Sequence, residues 1–338
     1  MLSTLKSLFS SPAASGKPVN RSSPGRMRRE KDAGSVQVRG AISSKEIDTA
    51  FYGLILGVQS PIDSALNIFE KSVLRGLDQL LSLDVSRSSL VPRLPAVIPR
   101  VMGALRDSSS SSADLAAEIG RDAVLVSEVI RLANSPYYQV GQKIDSLERA
   151  VFVLGQAGVR RLVTNAAFKP LINLNAGHFT RLSGTVLWDQ SEKTAVACDF
   201  IARRQKTDRF NAYLMGIVQN VGFTVALQIL DGNFDGSQAP RSGLFHDRLI
   251  KRARRLSWVI AREWQFPASV LQALESQVDA RHRQPAGDML YAGDRLSKLH
   301  ILSARGRFEG ESERLDLQVQ GCSPDTCKDC YEKLMPLS

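Results

Sequence analysis

The sequence predicts an all-α fold, a multi-helix bundle with a helical hairpin at its N-terminal end. Apolar residues recur three and four positions apart through most of residues 44–305, which is typical of helices with one buried face. No segment alternates apolar and polar residues as a half-buried strand does. Hydrophobic residues make up 43% of the 338 positions, so the chain can bury a large core.

Residues 1–40 differ from the rest of the chain in composition. They are rich in Ser, Pro, Gly and Arg, show no sustained period and carry a net charge of +6 out of the chain's +10. We predict a disordered basic tail that is simply solvated, with a targeting or nucleic-acid-binding segment as the alternative. The remaining net charge of +4 argues against nucleic acid as a partner of the folded part.

Two amphipathic stripes within residues 41–85 predict the N-terminal hairpin. Ser60 and Pro61 separate the stripes. Their apolar residues are Ile47, Phe51, Leu54 and Ile55, followed by Leu66, Phe69, Val73, Leu77 and Leu80. We expect the hairpin to pack either on the main domain or on a partner protein.

Helical stripes continue through residues 90–305, which we interpret as the main domain. One stripe covers residues 125–133. Asp145 and Glu148 then have the spacing of a capping box and predict the start of the next helix. That stripe ends at Gly155, and another begins at Val159.

Residues 207–230 contain the most apolar run of the chain, and their spacing predicts one buried helix. The run Tyr213–Leu230 is the best candidate for a membrane span, but Gln219 and Asn220 interrupt it. A core helix is therefore the better interpretation, and we expect no membrane partner. Four cysteines are too few for a disulfide scaffold of this length, so we expect a reduced, cytoplasmic protein.

The middle of this run resembles a motif of the HD-domain phosphohydrolases. Residues 216–222 read Gly-Ile-Val-Gln-Asn-Val-Gly, which is similar to the Gly-Leu-Leu-His-Asp-Ile-Gly helix of that superfamily. The resemblance implies that Gln219 and Asn220 stand where a His-Asp pair holds divalent metal. Two neutral amides offer neither charge nor imidazole nitrogen, so they are poor ligands for a hydrolytic metal.

A more specific resemblance covers about residues 90–305. The successive motifs are Leu94-Pro95-Ala96, Arg121-Asp122, Arg131-Leu132-Ala133-Asn134-Ser135, Ile144-Asp145-Ser146-Leu147 and Leu154-Gly155. Together they resemble the HDOD domain, an all-helical relative of the HD phosphohydrolases found in bacterial signalling proteins. The resemblance implies an HDOD/HD-like bundle that serves as a non-catalytic output module.

Two further segments that often carry histidine in the superfamily are also changed. Leu187-Trp188-Asp189-Gln190-Ser191 has Gln190 in place of a histidine, and the helix after the Trp264–Pro267 turn reaches Glu275-Ser276-Gln277 instead of a His-His pair. We therefore expect neither enzymatic activity nor a cofactor. Gln190, Gln219 and Asn220 either bond one another inside the bundle or line a retained ligand pocket.

Two groups of residues outside these motifs are candidate sites. Arg248, Lys251, Arg252 and Arg255 share one helix face, which is either solvated or binds an acidic partner. Cys322, Cys327 and Cys330 lie in the predicted C-terminal tail, residues 306–338. Their spacing is that of half a zinc site or part of an iron–sulfur site, but a fourth ligand is missing nearby, so unliganded thiols are the default.

From these features we expect a regulatory or scaffold module of bacterial signal transduction that acts by binding a signalling protein. The alternative is a degenerate HD-type sensor that binds a nucleotide second messenger in the vestigial active-site cleft. The sequence identifies neither the partner nor the oligomeric state.

Overall fold

The computed structural model describes residues 42–99, 116–117, 119–135, 143–279, 284–307 and 323–334, and the structural statements below concern this part of the chain. The predicted basic tail, residues 1–40, lies outside it, as does Cys322.

Eleven α-helices and one short 3-10 turn, Val85–Arg87, form the described part of the chain, which contains no β-strand. The helices are α1 Ser44–Leu56, α2 Ile68–Ser82, α3 Ala123–Ala133, α4 Leu147–Ile172, α5 His178–Gln205, α6 Arg209–Val218, α7 Val221–Asn233, α8 Gly243–Glu263, α9 Ala268–Val278, α10 Pro285–Ser303 and α11 Pro324–Leu334. One isolated bridge pairs Ile62 with Ser242. The predicted all-α class is confirmed.

Helix α5 is the centre of the bundle. It packs against α1, α4, α6, α7, α10 and α11. Its buried residues include apolar side chains such as Leu187 and Ile201 and also several polar ones, among them Gln190 and Thr194. Because these polar side chains are buried, they need hydrogen-bond partners on the neighbouring helices.

The apolar run in residues 207–230 forms two helices, so the prediction of one helix is wrong in this respect. Helix α6 ends at Val218, Gln219 and Asn220 form the turn, and α7 starts at Val221. Both helices are buried almost all round. The stretch Arg209–Asn233 has the length and mean hydropathy, 1.5, of a membrane span, but 89% of its most apolar window is buried inside the protein.

Glycines let this pair of helices approach its neighbours closely. A Cβ at Gly216 would lie 2.4 Å from the Cα of Ala195 in α5, and a Cβ at Gly222 would lie 2.2 Å from the carbonyl oxygen of Ala253 in α8. Real side chains do not tolerate such distances. The two glycines of the Gly216–Gly222 motif therefore set the spacing of α6 to α5 and of α7 to α8.

The two N-terminal helices pack on the main bundle. Helix α1 contacts chiefly α5 and α10, whereas α2 contacts α7 and α8. Phe51 and Phe69, the aromatic residues of the two stripes, are 1% and 6% exposed. The stripes therefore join the core of the main domain and are not free for a partner protein.

Helix α4 begins one residue later than the Asp145–Glu148 capping box predicts. Ser146 is the N-cap, and its side chain accepts the backbone N–H of Arg149. The predicted interruption at Gly155 is present, because this residue has a φ of 68° that suits glycine and breaks the helical path. The segments on either side form, with α3, a second hydrophobic cluster beside the main one.

Residues 324–334 form helix α11, so the prediction of a C-terminal tail over residues 306–338 needs correction there. Cys327 and Cys330 are 5% and 0% exposed and belong to the main hydrophobic core. The Cys330 thiol lies 3.8 Å from the carbonyl oxygen of Ala197 in α5. These two cysteines therefore anchor α11 on the bundle as small apolar groups. The zinc interpretation of their spacing did not predict this packing role.

We expect Gly216→Ala to destabilise the fold by about 3 kcal/mol, because the added methyl group forces the α5 and α6 backbones apart. Gly232→Ala is the matched control, since outside its chain neighbours and its own helix backbone no described atom lies within 4 Å of its Cβ position near the end of α7. The control should be neutral or stabilising by roughly 0.5–1 kcal/mol. Urea unfolding followed by circular dichroism measures both changes. Equal stabilities for the two variants would contradict a close contact at Gly216.

Candidate functional site

The structure brings together the three amide side chains that the sequence singled out. Gln190 in α5 accepts hydrogen bonds at Oε1 from Nδ2 of Asn220 and, at 3.4 Å, from Nε2 of Gln219. Asn220 also donates to Oγ of Ser191 at 2.9 Å. Of the two alternatives left by the sequence, the geometry favours amides that bond one another inside the bundle.

Hydroxyl groups and one carboxylate complete this amide cluster. Nε2 of Gln190 lies 3.0 Å from Oγ1 of Thr194, 2.9 Å from Oδ1 of Asp294 and 3.1 Å from Oγ of Ser297. Gln219 donates to the same threonine hydroxyl at 2.8 Å. Helices α5 and α10 and the α6–α7 turn thus supply a mutually bonded set of polar groups, as buried polar atoms require.

Little space remains beside the amide cluster. The cavity there has a volume of about 10 Å³ and is lined by residues that include Tyr52, Gln219, Asn220, Arg254 and Asp294. This is room for about one water molecule. In the described part of the chain, no group of three or more His, Cys, Asp or Glu side chains has the arrangement of a metal site.

A buried network of charges lies next to the amide cluster. Asp48 in α1 contacts Nη2 of Arg295 and Nζ of Lys298, both at 2.9 Å. Arg254 in α8 approaches the same carboxylate at 3.6 Å. Lys298 also bonds Asp294 at 2.8 Å, which joins this charge network to the amide cluster. The network therefore ties α1 to both α8 and α10.

Burial and pairing act in opposite directions on the pKa values in the charge network. Burial raises the pKa of Asp48, but Lys298, Arg295 and Arg254 outweigh it and hold that pKa well below its usual range. Burial lowers the pKa of Lys298, but Asp294 and Asp48 outweigh it and hold that pKa above its usual range. Each group is therefore charged at neutral pH and stabilises the fold in its charged form.

Sequence reasoning missed this charge network. Its local signal is the i, i+4 spacing of Asp294 and Lys298, which is typical of ion pairs on exposed helix faces. The two residues are instead 5% and 1% exposed. Asp48, more than 240 positions away, is brought to them by the packing of α1 on α10, and one sequence gives no signal for that pairing.

The predicted basic face on α8 is present, with one change. Arg248, Lys251 and Arg255 are exposed. Arg252 forms a bidentate pair with Asp78 of α2, at 2.8 Å for both contacts, so its charge is matched within the chain. The exposed basic face is therefore formed by Arg248, Lys251 and Arg255.

Comparison with known proteins identifies the family. The model of the HDOD domain matches residues 91–280, more than half of the chain, so this protein belongs to the HDOD domain family. An HDOD domain protein of unknown function from Geobacter sulfurreducens superposes with a TM-score of 0.53 at 22% identity, over 71% of this chain and 81% of that one.

Two other proteins are also similar to this chain. A protein from Shewanella amazonensis described as a putative metal-dependent phosphohydrolase superposes with a TM-score of 0.56 at 20% identity, over 80% of this chain and 99% of that one. At such identities the structural likeness establishes the fold alone. An uncharacterized protein of Treponema pallidum is 21% identical over 204 residues, 57% of this chain, and the match spans 38% of that relative's length.

Asp48→Asn should lower the free energy of unfolding by about 3 kcal/mol at neutral pH, because it leaves Arg295 and Lys298 short of a counter-charge. The pKa of Asp48 is depressed by folding, so its contribution is present above the unfolded pKa of about 3.9 and fades as the pH falls below it. Wild type and variant should therefore converge at acid pH. Chemical unfolding measured at a series of pH values tests this.

Asp63→Asn is the control for that experiment. Asp63 is exposed and forms no ion pair with any residue that the structure describes. Its replacement should change the stability by less than about 0.5 kcal/mol. A stability loss that persists unchanged below pH 3 would contradict the role assigned to Asp48.

Proposed function

We propose that this protein is a non-enzymatic regulatory or scaffold module of bacterial signal transduction, which acts in the cytoplasm by binding a signalling protein. The observation that carries the proposal is the amide cluster. The motif resemblance implies that Gln190, Gln219 and Asn220 stand where HD phosphohydrolases hold metal, and here these amides bond one another and neighbouring hydroxyl groups. Neutral amides that bond one another leave no metal-activated water to attack a phosphoester.

The basic face of α8 is the surface we propose for the partner. Arg248, Lys251 and Arg255 are exposed on a helix whose other side is firmly packed. A rigid helix with several unmatched positive charges attracts an acidic protein surface and speeds the encounter with it. Neither nucleic acid nor a membrane is part of this proposal.

The alternative function is a sensor that binds a nucleotide second messenger in the vestigial cleft. The related fold of a putative phosphohydrolase is the observation in its favour. Against it stands the cavity volume of about 10 Å³ beside the amide cluster, which is far below the size of a nucleotide site. A nucleotide fits into the vestigial cleft only if the helices around the amide cluster separate.

A metal and activity assay tests the absence of enzymatic function. Purified wild-type protein should contain no stoichiometric Mn, Fe or Mg and should not hydrolyse cyclic dinucleotides or a generic phosphodiester. The double change Gln219→His with Asn220→Asp should also be inactive, because Gln190 and the segment Glu275-Ser276-Gln277 still stand in place of the other histidines of the superfamily. Metal-dependent turnover by wild type would refute the proposal.

Charge reversal on the basic face tests the partner surface. Lys251→Glu with Arg255→Glu should weaken capture of the acidic partner, and the loss should shrink at high salt because salt also weakens the wild-type complex. Melting should stay near the wild-type temperature, since both residues are exposed. The readout is partner recovery in pulldowns followed by mass spectrometry.

Lys71→Glu with Arg75→Glu is the matched control for the charge reversal. These residues are also exposed and four positions apart, on α2, and the variant has the same net charge. The control should retain the partner. If both double variants lose it equally, overall charge and not the basic face controls the binding.

A further inference from the structure

A groove runs along the surface between α1 and the first half of α8. Its volume is about 610 Å³, within the range of sites for small molecules. Tyr52 and Arg254 line both this groove and the small cavity beside the amide cluster. The groove thus lies next to the vestigial cleft but outside it, and it has the space that the cleft lacks.

The charges along the groove are not balanced. Behind it, the buried charge network holds three cations, Arg254, Arg295 and Lys298, against the two carboxylates of Asp48 and Asp294. One positive charge is therefore unmatched within the network. The side chains of the network are 1–25% exposed, so water hydrates this excess charge only in part. An anion in the groove would balance it.

Exposed charges at the edge of the groove have both signs. Lys45 and Lys251 line it, as do Asp63 and Asp247, and all four are exposed. Because water screens such side chains and lets them reorient, the buried network decides the sign of the field inside the groove. Lys45 and Lys251 are then free to contact an anion held there.

Arg295 has an unused hydrogen-bond donor in addition to its positive charge. The residue lines the groove and is 4% exposed. Its Nη1 and Nη2 atoms bond the carbonyl oxygen of Ser44 and the carboxylate of Asp48, whereas its Nε has no hydrogen-bond partner in the described part of the chain. A buried donor without an acceptor is unusual in a stable fold, and none of the described residues supplies an acceptor to this Nε.

The start of α8 faces the groove through Gly243 and Leu244 and has no side-chain cap. The hydroxyl of Ser242, at the N-cap position, donates instead to the carbonyl oxygen of Ser64 at 2.8 Å. An anion of the chain already meets this end of the helix. The N–H of Ser242 donates to the buried carboxylate of Glu70 at 2.8 Å, and the N–H of Gly243 donates to the carbonyl oxygen of Ile62 at 3.0 Å. The start of α8 therefore needs no anion from the groove, and the buried charge network alone favours one.

We propose that the groove binds a phosphate-bearing small molecule of nucleotide size, with the phosphate near Arg254 and Arg295. Lys45 and Lys251 contact the phosphate from opposite elements, α1 and α8. Apolar side chains that line the groove, such as Ile62 and Ile250, offer contacts to an uncharged part of the ligand. This binding site goes beyond the partner surface proposed above, which does not involve α1.

Isothermal titration calorimetry on the full chain tests the site with three probes: inorganic pyrophosphate, adenosine 5′-diphosphate and adenosine. The two phosphate probes should bind wild-type protein, and adenosine should not. Lys45→Ala and Lys251→Ala should each weaken the binding of pyrophosphate about tenfold, because each removes one charged contact. Both residues are exposed, so the variants should keep the wild-type melting temperature.

Arg255→Ala is the matched control, because Arg255 is an exposed cation on the same helix but does not line the groove. It should leave the Kd for pyrophosphate within about twofold of wild type. Absence of binding of both phosphate probes at millimolar concentration would overturn the proposal. So would equal weakening by Arg255→Ala and Lys251→Ala, which would show diffuse attraction to a basic helix.

The role of Lys45 separates this site from the partner surface. Loss of pyrophosphate binding in Lys45→Ala with normal partner capture supports a groove that extends beyond the basic face of α8, with which it shares Lys251. Unchanged pyrophosphate binding in Lys45→Ala overturns the site as described, and it leaves the proposed partner surface standing.

Discussion

The buried polar side chains of α5 are the constraint on which the bundle depends. Gln190, Ser191 and Thr194 are 0% exposed on a helix surrounded by six others. Buried amides and hydroxyls destabilise a protein unless each finds a partner. The α6–α7 turn and α10 must therefore lie where Gln219, Asn220 and Ser297 can reach α5, and the glycines of the turn region permit that approach.

The sequence predicted many of the helices because these have a local signal. The apolar stripes, the glycine break at position 155 and the family motifs all lie within short windows of the chain. The errors also have local causes. Gln219 and Asn220 interrupt the helix they were assigned to, and Cys327 and Cys330, three positions apart in a helix, resemble half a metal site although they fill a core position.

The candidate site was predicted only in part. Gln190, Gln219 and Asn220 could be found because they replace expected ligands in recognisable motifs, and the structure shows them bonded together. The charge network and the groove beside it could not be found in the same way. Asp48 joins Lys298 across some 250 positions, and pairing over such a distance depends on tertiary packing that no local pattern encodes.

The ion pairs of Asp48 have a consequence for where the cooperative folding unit begins. The family model starts at residue 91, yet the counter-charge of Arg295 and Lys298 comes from α1, and the phenylalanines of α1 and α2 fill the same core. A fragment that begins at residue 91 would expose that apolar surface and deprive Arg295 and Lys298 of the Asp48 carboxylate, although Asp294 would still pair with Lys298. In this protein the evolutionary domain is therefore smaller than the unit that folds.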